Sequence, residues 1–363
     1  MKVFSICYYA PPQLTPQAIQ IGRQLYHLDA GVTLLHGRDG QFGAGYDQYP
    51  DFFQRIRPLE VVNPGPRLGG LALRAVRRAV PLYGNCPDNL GRWRARARTV
   101  ALAHLKAERP DVLVSFGMPM SDHLLGYDLQ RATGLPWLVH FSDPWTDNPF
   151  HDHGPLLRAI NVAMEKRVIG AADQVLFTSE RTRAMVMRKY PDAWRDKTAV
   201  LPHAWDMEHF AGAAPADAAP PPGVRHVVRH IGACYGARSP VPLFEALARL
   251  AGTDPAALDG VLFEFVGYVS PAALESPAFR ALPPGLVTLR GQVGYRESLA
   301  LARSASALLV IDAPSAIPSV FLPSKLVEYI GARRPVWGIT PPGTSADLIA
   351  EWAYNRPAHA APG

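Results

Sequence analysis

The stretch "VFLPSKLVEYIGARRPVWGIT", residues 320–340, decides the fold. A Pro-Ser-Lys step opens an apolar segment with helical spacing. Glycine, a basic pair and a short strand-like run, "PVWGIT", close it. A helix followed at once by a buried strand is half of a βαβ unit. Pro323 suits a helix start, where its missing N–H costs nothing. The backbone N–H groups of Ser324, Lys325 and Leu326 then face out of the helix mouth and, with the Lys325 charge, make an anion site. Glu328 lies about one turn deeper and can accept hydrogen bonds from sugar hydroxyls. A nucleotide's phosphate and ribose would use both groups. A surface i,i+3 ion pair between Lys325 and Glu328 explains the same two residues.

The rhythm extends outward in both directions. "HVVRHIGA", "LFEFVGY", "VTLRGQV" and "SALLVIDA" read as strands before the quoted stretch, with helices at 240–251 and 294–304, and a last helix follows at 344–353. Nearer the N-terminus, "KVFSICYY", "GVTLLHG", "DVLVSFG", "PWLVHFS", "QVLFTS" and "AVLPHA" read as buried parallel strands. Helical stretches at 16–29, 92–108, 121–133, 155–171 and 179–189 separate them, with Ser179 as a helix N-cap. The expectation is α/β: two Rossmann-like, doubly wound domains on either side of a central cleft. They cover residues 1–210 and 224–363, joined by the Ala/Pro-rich linker 211–223, "AGAAPADAAPPPG". A length of 363 residues suits two domains.

Hydrophobic residues at 48% against 19% charged exclude a disordered chain. No window approaches 18 apolar residues, so no membrane span is expected. Cys7, Cys86 and Cys234 lie far apart, without metal-type spacing, and fit a reducing, cytoplasmic setting. The "HDHG" pair at 151–154 lacks further ligands, so no metal site is expected. The net charge of +6 gathers in "RLGGLALRAVRRAV" and "GRWRARARTVALAHLKAERP". Arg67, Arg74 and Arg78 share one helical stripe, which is either a solvated face or a contact with anionic lipid at the inner membrane surface. No nucleic-acid module accompanies the charge.

A second phosphate candidate is "HIGACYGARSPVPLFEAL", residues 230–247. Gly232 follows a strand, and Gly236 and Arg238 precede a helix. Glycine lets backbone approach a ligand, and a guanidinium takes phosphate oxygens in pairs. Neither a P-loop nor a GxGxxG is present.

With "EKRVIGAADQVLFTSERTRAMV", "VHFSDPW" and "VLPHAWD", these segments resemble, in order, the GT-B glycosyltransferases of the retaining family GT4, the group 1 transferases of polysaccharide synthesis. The resemblance runs over most of residues 110–350. It implies transfer of a sugar from a nucleotide diphosphate sugar to a glycan or lipid-linked acceptor. A resident cofactor is not implied, the nucleotide sugar being a co-substrate. It gives Glu328 the place of the ribose-binding acid and puts the backbone of Ser324 and Lys325 where the family holds the diphosphate, beside Leu326 and Gly232 as read above from the helix start and the glycine loop. It gives Arg238 a basic position that neutralises the leaving phosphate, and the charge of Lys325 at the helix mouth would add to it. It puts Asp143 and His123 on N-terminal loops where acceptor and donor sugar meet. By residue chemistry alone Asp143 is equally a turn cap and His123 an ordinary helix-start histidine. His140 and His203 read as structural, and Glu165 as a packing or salt-bridge residue.

The chain also departs from the family. Val320 stands eight residues before Glu328, where many members carry a first acid. "APPQLTPQ" after the first strand lacks the usual glycine pair. The resemblance implies a closing helix that returns to the first domain, and the chain's end reads as short of it. A non-hydrolysing nucleotide-sugar epimerase and a non-catalytic binding scaffold are the alternative readings on the same fold.

Overall fold

The computed structural model describes residues 1–13, 15–38, 48–65, 86–150, 154–211 and 220–354. The arginine stripe Arg67, Arg74 and Arg78, the core of the 211–223 linker and residues 151–153 lie outside them. The chain divides into two compact units, Met1–His203 and Ala204–Gly363. Residues 204–210 fold with the second unit, since Phe210 is in its core with Leu299, Leu308 and Leu326.

In the first unit seven parallel strands are ordered β3-β2-β1-β4-β5-β6-β7. They are β1 (Lys2–Ile6), β2 (Gly31–Arg38), β3 (Ile56–Val62), β4 (Val112–Gly117), β5 (Trp137–Phe141), β6 (Gln174–Phe177) and β7 (Thr198–Val200). The longer helices are α1 (Pro16–Tyr26), α2 (Gly91–Glu108), α3 (Ser121–Thr133), α4 (Gly154–Ala171) and α5 (Glu180–Met187). Phe4, Leu113, Val139, Phe141 and Phe177 bury the sheet against them. Continuous apolar runs mark strands covered on both faces, which is why these were readable in the sequence. The capping also follows expectation, with Ser179 Oγ accepting from Thr182 N at 3.0 Å.

The strand the sequence pattern missed is β3. "IRPLEVV" carries Arg57, Pro58 and Glu60, and four of its seven residues are exposed. It is an edge strand, where proline and charge are tolerated and the apolar signal is weakest.

In the second unit five parallel strands are ordered β10-β9-β8-β11-β12. They are β8 (His226–Ile231), β9 (Val261–Val266), β10 (Val287–Arg290), β11 (Ala307–Ile311) and β12 (Val336–Ile339), with helices α6 (Val241–Thr253), α7 (Tyr295–Ser304), α8 (Ser324–Gly331) and α9 (Thr344–Tyr354). One charged pair is buried in this sheet. Arg229 on β8 lies in register with Glu264 on β9 and donates to it, as does Arg290 at 3.2 Å. Arg229 also donates to Leu301 O at 2.9 Å and Ser304 Oγ at 2.6 Å, so the sheet is tied to α7 by a satisfied network.

Each strand order reverses once, between β1 and β4 in the first unit and between β8 and β11 in the second. At such a reversal the loops leave in opposite directions and open a crevice beyond the strand ends.

Candidate functional site

The β8/β11 crevice gathers the residues of both phosphate candidates. The loop after β8 carries Gly232, Cys234 and Arg238, and the segment after β11 carries Asp312 and leads into α8 with Ser324, Lys325 and Glu328. Helix α8 starts one residue later than its proline. Pro323 is the N-cap, with φ −63° and ψ 131°, and its carbonyl accepts from Leu326 N at 3.1 Å. The Leu326 N–H is thereby used inside the turn, and its side chain is fully buried. The N–H groups of Ser324 and Lys325 are left to face outward. Val320 is 4% exposed, so an apolar residue fills the place of the first acid.

Lys325 does not run outward along the helix surface. Its Nζ lies 3.3 Å from His230 Nε2. A Cβ on Gly232 would sit 2.7 Å from that Nζ and 3.1 Å from Cε, and Gly232 has φ +132°. The glycine read as a place for ligand backbone contact therefore also makes room for the lysine stem. Burial, then the charge of Arg238, lowers the Lys325 pKa to about 8, against smaller opposing effects of Cys234 and Asp312. Arg238 Nε is buried and has no hydrogen-bond partner among the described residues, and the guanidinium lies 5.8 Å from the Tyr235 ring centre. Among the described residues no carboxylate comes within ion-pair distance of Lys325 or Arg238. Two neighbouring cations without a paired anion repel each other, and a dianion placed between them relieves that cost.

His123 and Asp143 lie in the first unit, at its own strand ends. The resemblance implied an N-terminal loop for His123; it is the third residue of α3, the helix expected over 121–133, and Asp88 ties down the first turn. Asp88 Oδ2 accepts from Ser121 N at 2.8 Å and Oδ1 from Ser121 Oγ at 2.6 Å. His123 is fully buried, its ring tilted against Phe141 with centroids 4.6 Å apart, and Nδ1 is 2.9 Å from Ser115 Oγ. Ser115 Oγ also accepts from Trp137 Nε1 at 3.0 Å, which ties the histidine, the serine and the tryptophan into one buried cluster. Nε2 has no partner among the described residues. Burial, then His140, brings the His123 pKa to about 3, so the ring is neutral. Asp143 is half-buried, two residues beyond β5.

Next to Asp143, a cavity of about 460 Å³ is lined by Tyr9, Asp88, Met118, Met120, Trp145 and Phe150 among others. Glu165, fully buried, holds its wall: it accepts from Thr146 N at 3.0 Å, Lys189 Nζ at 2.9 Å and Tyr190 OH at 3.0 Å. Lys189 also pairs with Asp147 at 2.6 Å. Among the described residues no group of three or more His, Cys, Asp or Glu could hold a metal ion, and no helix is long and apolar enough to cross a membrane.

Residues 46–204 match the model of the glycosyl transferase 4-like domain family. The chain has the GT-B fold, and residues 46–204, under half of it, are similar to a glycosyl transferase 4-like domain. The GT-B assignment rests on its likeness to solved structures. Sucrose-phosphate synthase from Thermosynechococcus elongatus is 15% identical, with a TM-score of 0.63, over 98% of this chain and 91% of that one. Anabaena HepE in complex with UDP is 15% identical, with a TM-score of 0.59, over 98% and 89%. A UDP-N-acetylglucosamine 2-epimerase from Listeria monocytogenes, described as putative, is 13% identical, with a TM-score of 0.55, over 96% and 82%. No curated protein matches the sequence. The family match and the fold together support a group 1, GT4-type glycosyltransferase. Since the fold also serves a protein described as an epimerase, the GT-B protein's chemistry has to be argued from its site.

Sequence reasoning missed three residues of the crevice: His230, Cys234 and Asp312. Asp312 directly follows β11 in "VIDAP", and His230 is the last polar residue of β8 before the glycine loop. A polar group at the carboxyl end of a switch-point strand was the available signal.

Proposed function

We propose that the protein transfers a sugar, with retention, from a nucleoside diphosphate sugar to an acceptor hydroxyl in cell-surface polysaccharide or glycolipid synthesis. One observation carries the reading. Lys325 and Arg238 stand together at the β8/β11 crevice without a carboxylate partner among the described residues, beside the outward N–H groups of α8. As the bond from sugar to diphosphate breaks, negative charge grows on the leaving oxygen, and fixed cations and amides stabilise it without reorganising. Glu328 holds the ribose hydroxyls. This arrangement assigns the leaving-group charge to side chains, so turnover that persists in excess chelator is the expected result. In the first unit, the apolar-lined cavity beside Asp143 would take the apolar part of a lipid-linked acceptor. His123, neutral and fully buried, would support this site through its packing beside Phe141 and not by touching substrate.

Calorimetric titration with UDP and GDP tests the binding half. A nucleotide at about 100 times its Kd should add roughly 2.7 kcal/mol to stability. Absence of binding by either would leave a scaffold. Turnover is tested by release of UDP or GDP from a sugar-nucleotide panel with and without acceptor. Isomerised donor with no acceptor requirement would instead establish the epimerase.

Glu328→Ala should raise the donor KM about 10- to 100-fold, the worth of a hydrogen bond to a charged group, while kcat changes much less. An unchanged KM would take Glu328 out of the ribose site.

A further inference from the structure

The ammonium of Lys325 sits on a long side chain at the first turn of α8, and such a chain has many rotamers in water. Something has to hold it over Gly232. His230 is 1% exposed, and its Nδ1 lies 2.9 Å from Leu309 O on β11. A carbonyl oxygen only accepts, so Nδ1 carries the ring proton and Nε2 presents a lone pair. That lone pair faces two donors, Lys325 Nζ at 3.3 Å and Cys234 Sγ at 3.3 Å. A thiol is the weaker donor. Burial and the charges of Lys325 and Arg238 keep the imidazole neutral, so it stays an acceptor and does not become a third cation.

We propose that His230 is a positioning residue for Lys325: its Nε2 lone pair fixes the ammonium over Gly232, beside Arg238, ready for a diphosphate. The inference rests on the reading of this crevice as the diphosphate site. It adds a residue that touches no substrate and acts through the lysine. The geometry links three positions. β11 orients the ring through Leu309 O, the ring holds the ammonium, and Gly232 leaves the space the lysine stem occupies. A ligand would therefore meet a cation already in place, with less side-chain ordering left to do on binding.

A double-mutant cycle on UDP and inorganic pyrophosphate binding tests it, using the full chain with His230→Phe, His230→Gln, Lys325→Met and the His230→Phe/Lys325→Met pair. His230→Phe is expected to weaken both ligands at least tenfold. His230→Gln, whose amide oxygen can accept from the ammonium, should recover part of that loss. With Lys325 already replaced by Met, His230→Phe should change affinity by less than twofold. The pH dependence gives a second readout. The groups facing Lys325 are His230 on β8, Cys234 and Arg238 in the following loop, and Asp312 after β11. Loss of the acceptor disfavours the ammonium, so the alkaline fall in UDP affinity should move to lower pH in His230→Phe and less so in His230→Gln. If the two single effects multiply in the double variant, or if the alkaline limb stays in place, His230 is only structural and the inference is wrong. If Lys325→Met binds UDP and pyrophosphate as the parent does, the diphosphate site itself is misplaced. Should His230→Phe fail to fold, the same cycle run with His230→Gln decides, since its smaller loss must likewise vanish in the Lys325→Met background.

Discussion

Arg238→Ala is expected to lower kcat by about 10²–10³-fold while leaving the donor KM comparatively unchanged. The reason lies in when the charge is needed. In the bound donor the phosphate charges are shared with solvent and with the outward amides of Ser324 and Lys325. The extra negative charge appears only as the glycosidic bond lengthens, and a cation waiting there lowers the barrier more than it strengthens binding. Arg238 suits that part because, among the described residues, its buried Nε has no partner and no carboxylate neutralises it. Arg238→Lys should recover only part of the loss, since a point charge cannot reproduce the planar fork. Steady-state release of UDP or GDP from the preferred sugar nucleotide measures it. A fall confined to KM would mean that Arg238 binds the ground state and transition state alike, and the proposed role would be lost.

The elements that position these residues were largely legible in the sequence, and the side-chain pairings were not. Strands such as "ALLVI" are apolar throughout because both faces are covered, so β11 and its neighbours announce themselves. β3 did not, being an edge strand with exposed charge. Around the crevice, local pattern pointed to α8 and to Gly232, but Lys325 and His230 are 95 residues apart and meet only through the β8/β11 pairing. The role of Gly232 could not be divided between a ligand and a lysine stem until that pairing was known. His123 shows the converse. Its helix was read correctly from spacing, yet its complete burial depends on Ser115, Trp137 and Phe141, which reach it across the sheet.

That burial carries the second large prediction: the first unit should lose stability steeply as pH falls from about 6.5 toward 4. His123, His140 and His203 have pKa values of about 3, 4 and 4, in each case chiefly because burial disfavours the charged ring. Unfolded, each returns to about 6.5. With the folded values depressed, the unfolded chain binds more protons throughout this window. Stability is therefore fully present above pH 6.5 and is lost on acidification down to the folded values. Each histidine contributes a slope of about 1.4 kcal/mol per pH unit. Asp122 works in the opposite sense, because burial raises its pKa and the folded chain keeps that proton where the unfolded chain has released it. The histidines outnumber it, and burial also lowers the pKa of His36 and His104 in this unit, so the net slope keeps the histidines' sign. One and a half units of acidification then removes on the order of 2–4 kcal/mol, a large part of the 5–15 kcal/mol that holds a typical domain. Denaturant unfolding at pH 7.5, 6 and 5, followed by fluorescence, measures it, with Trp93, Trp137 and Trp145 buried in this unit as reporters. His140→Leu, which removes one titrating ring, should flatten the curve by about a third to a half. A midpoint that stays constant between pH 7.5 and 5 would show that these rings reach water in the folded chain, and the buried, neutral character assigned to His123 would be lost.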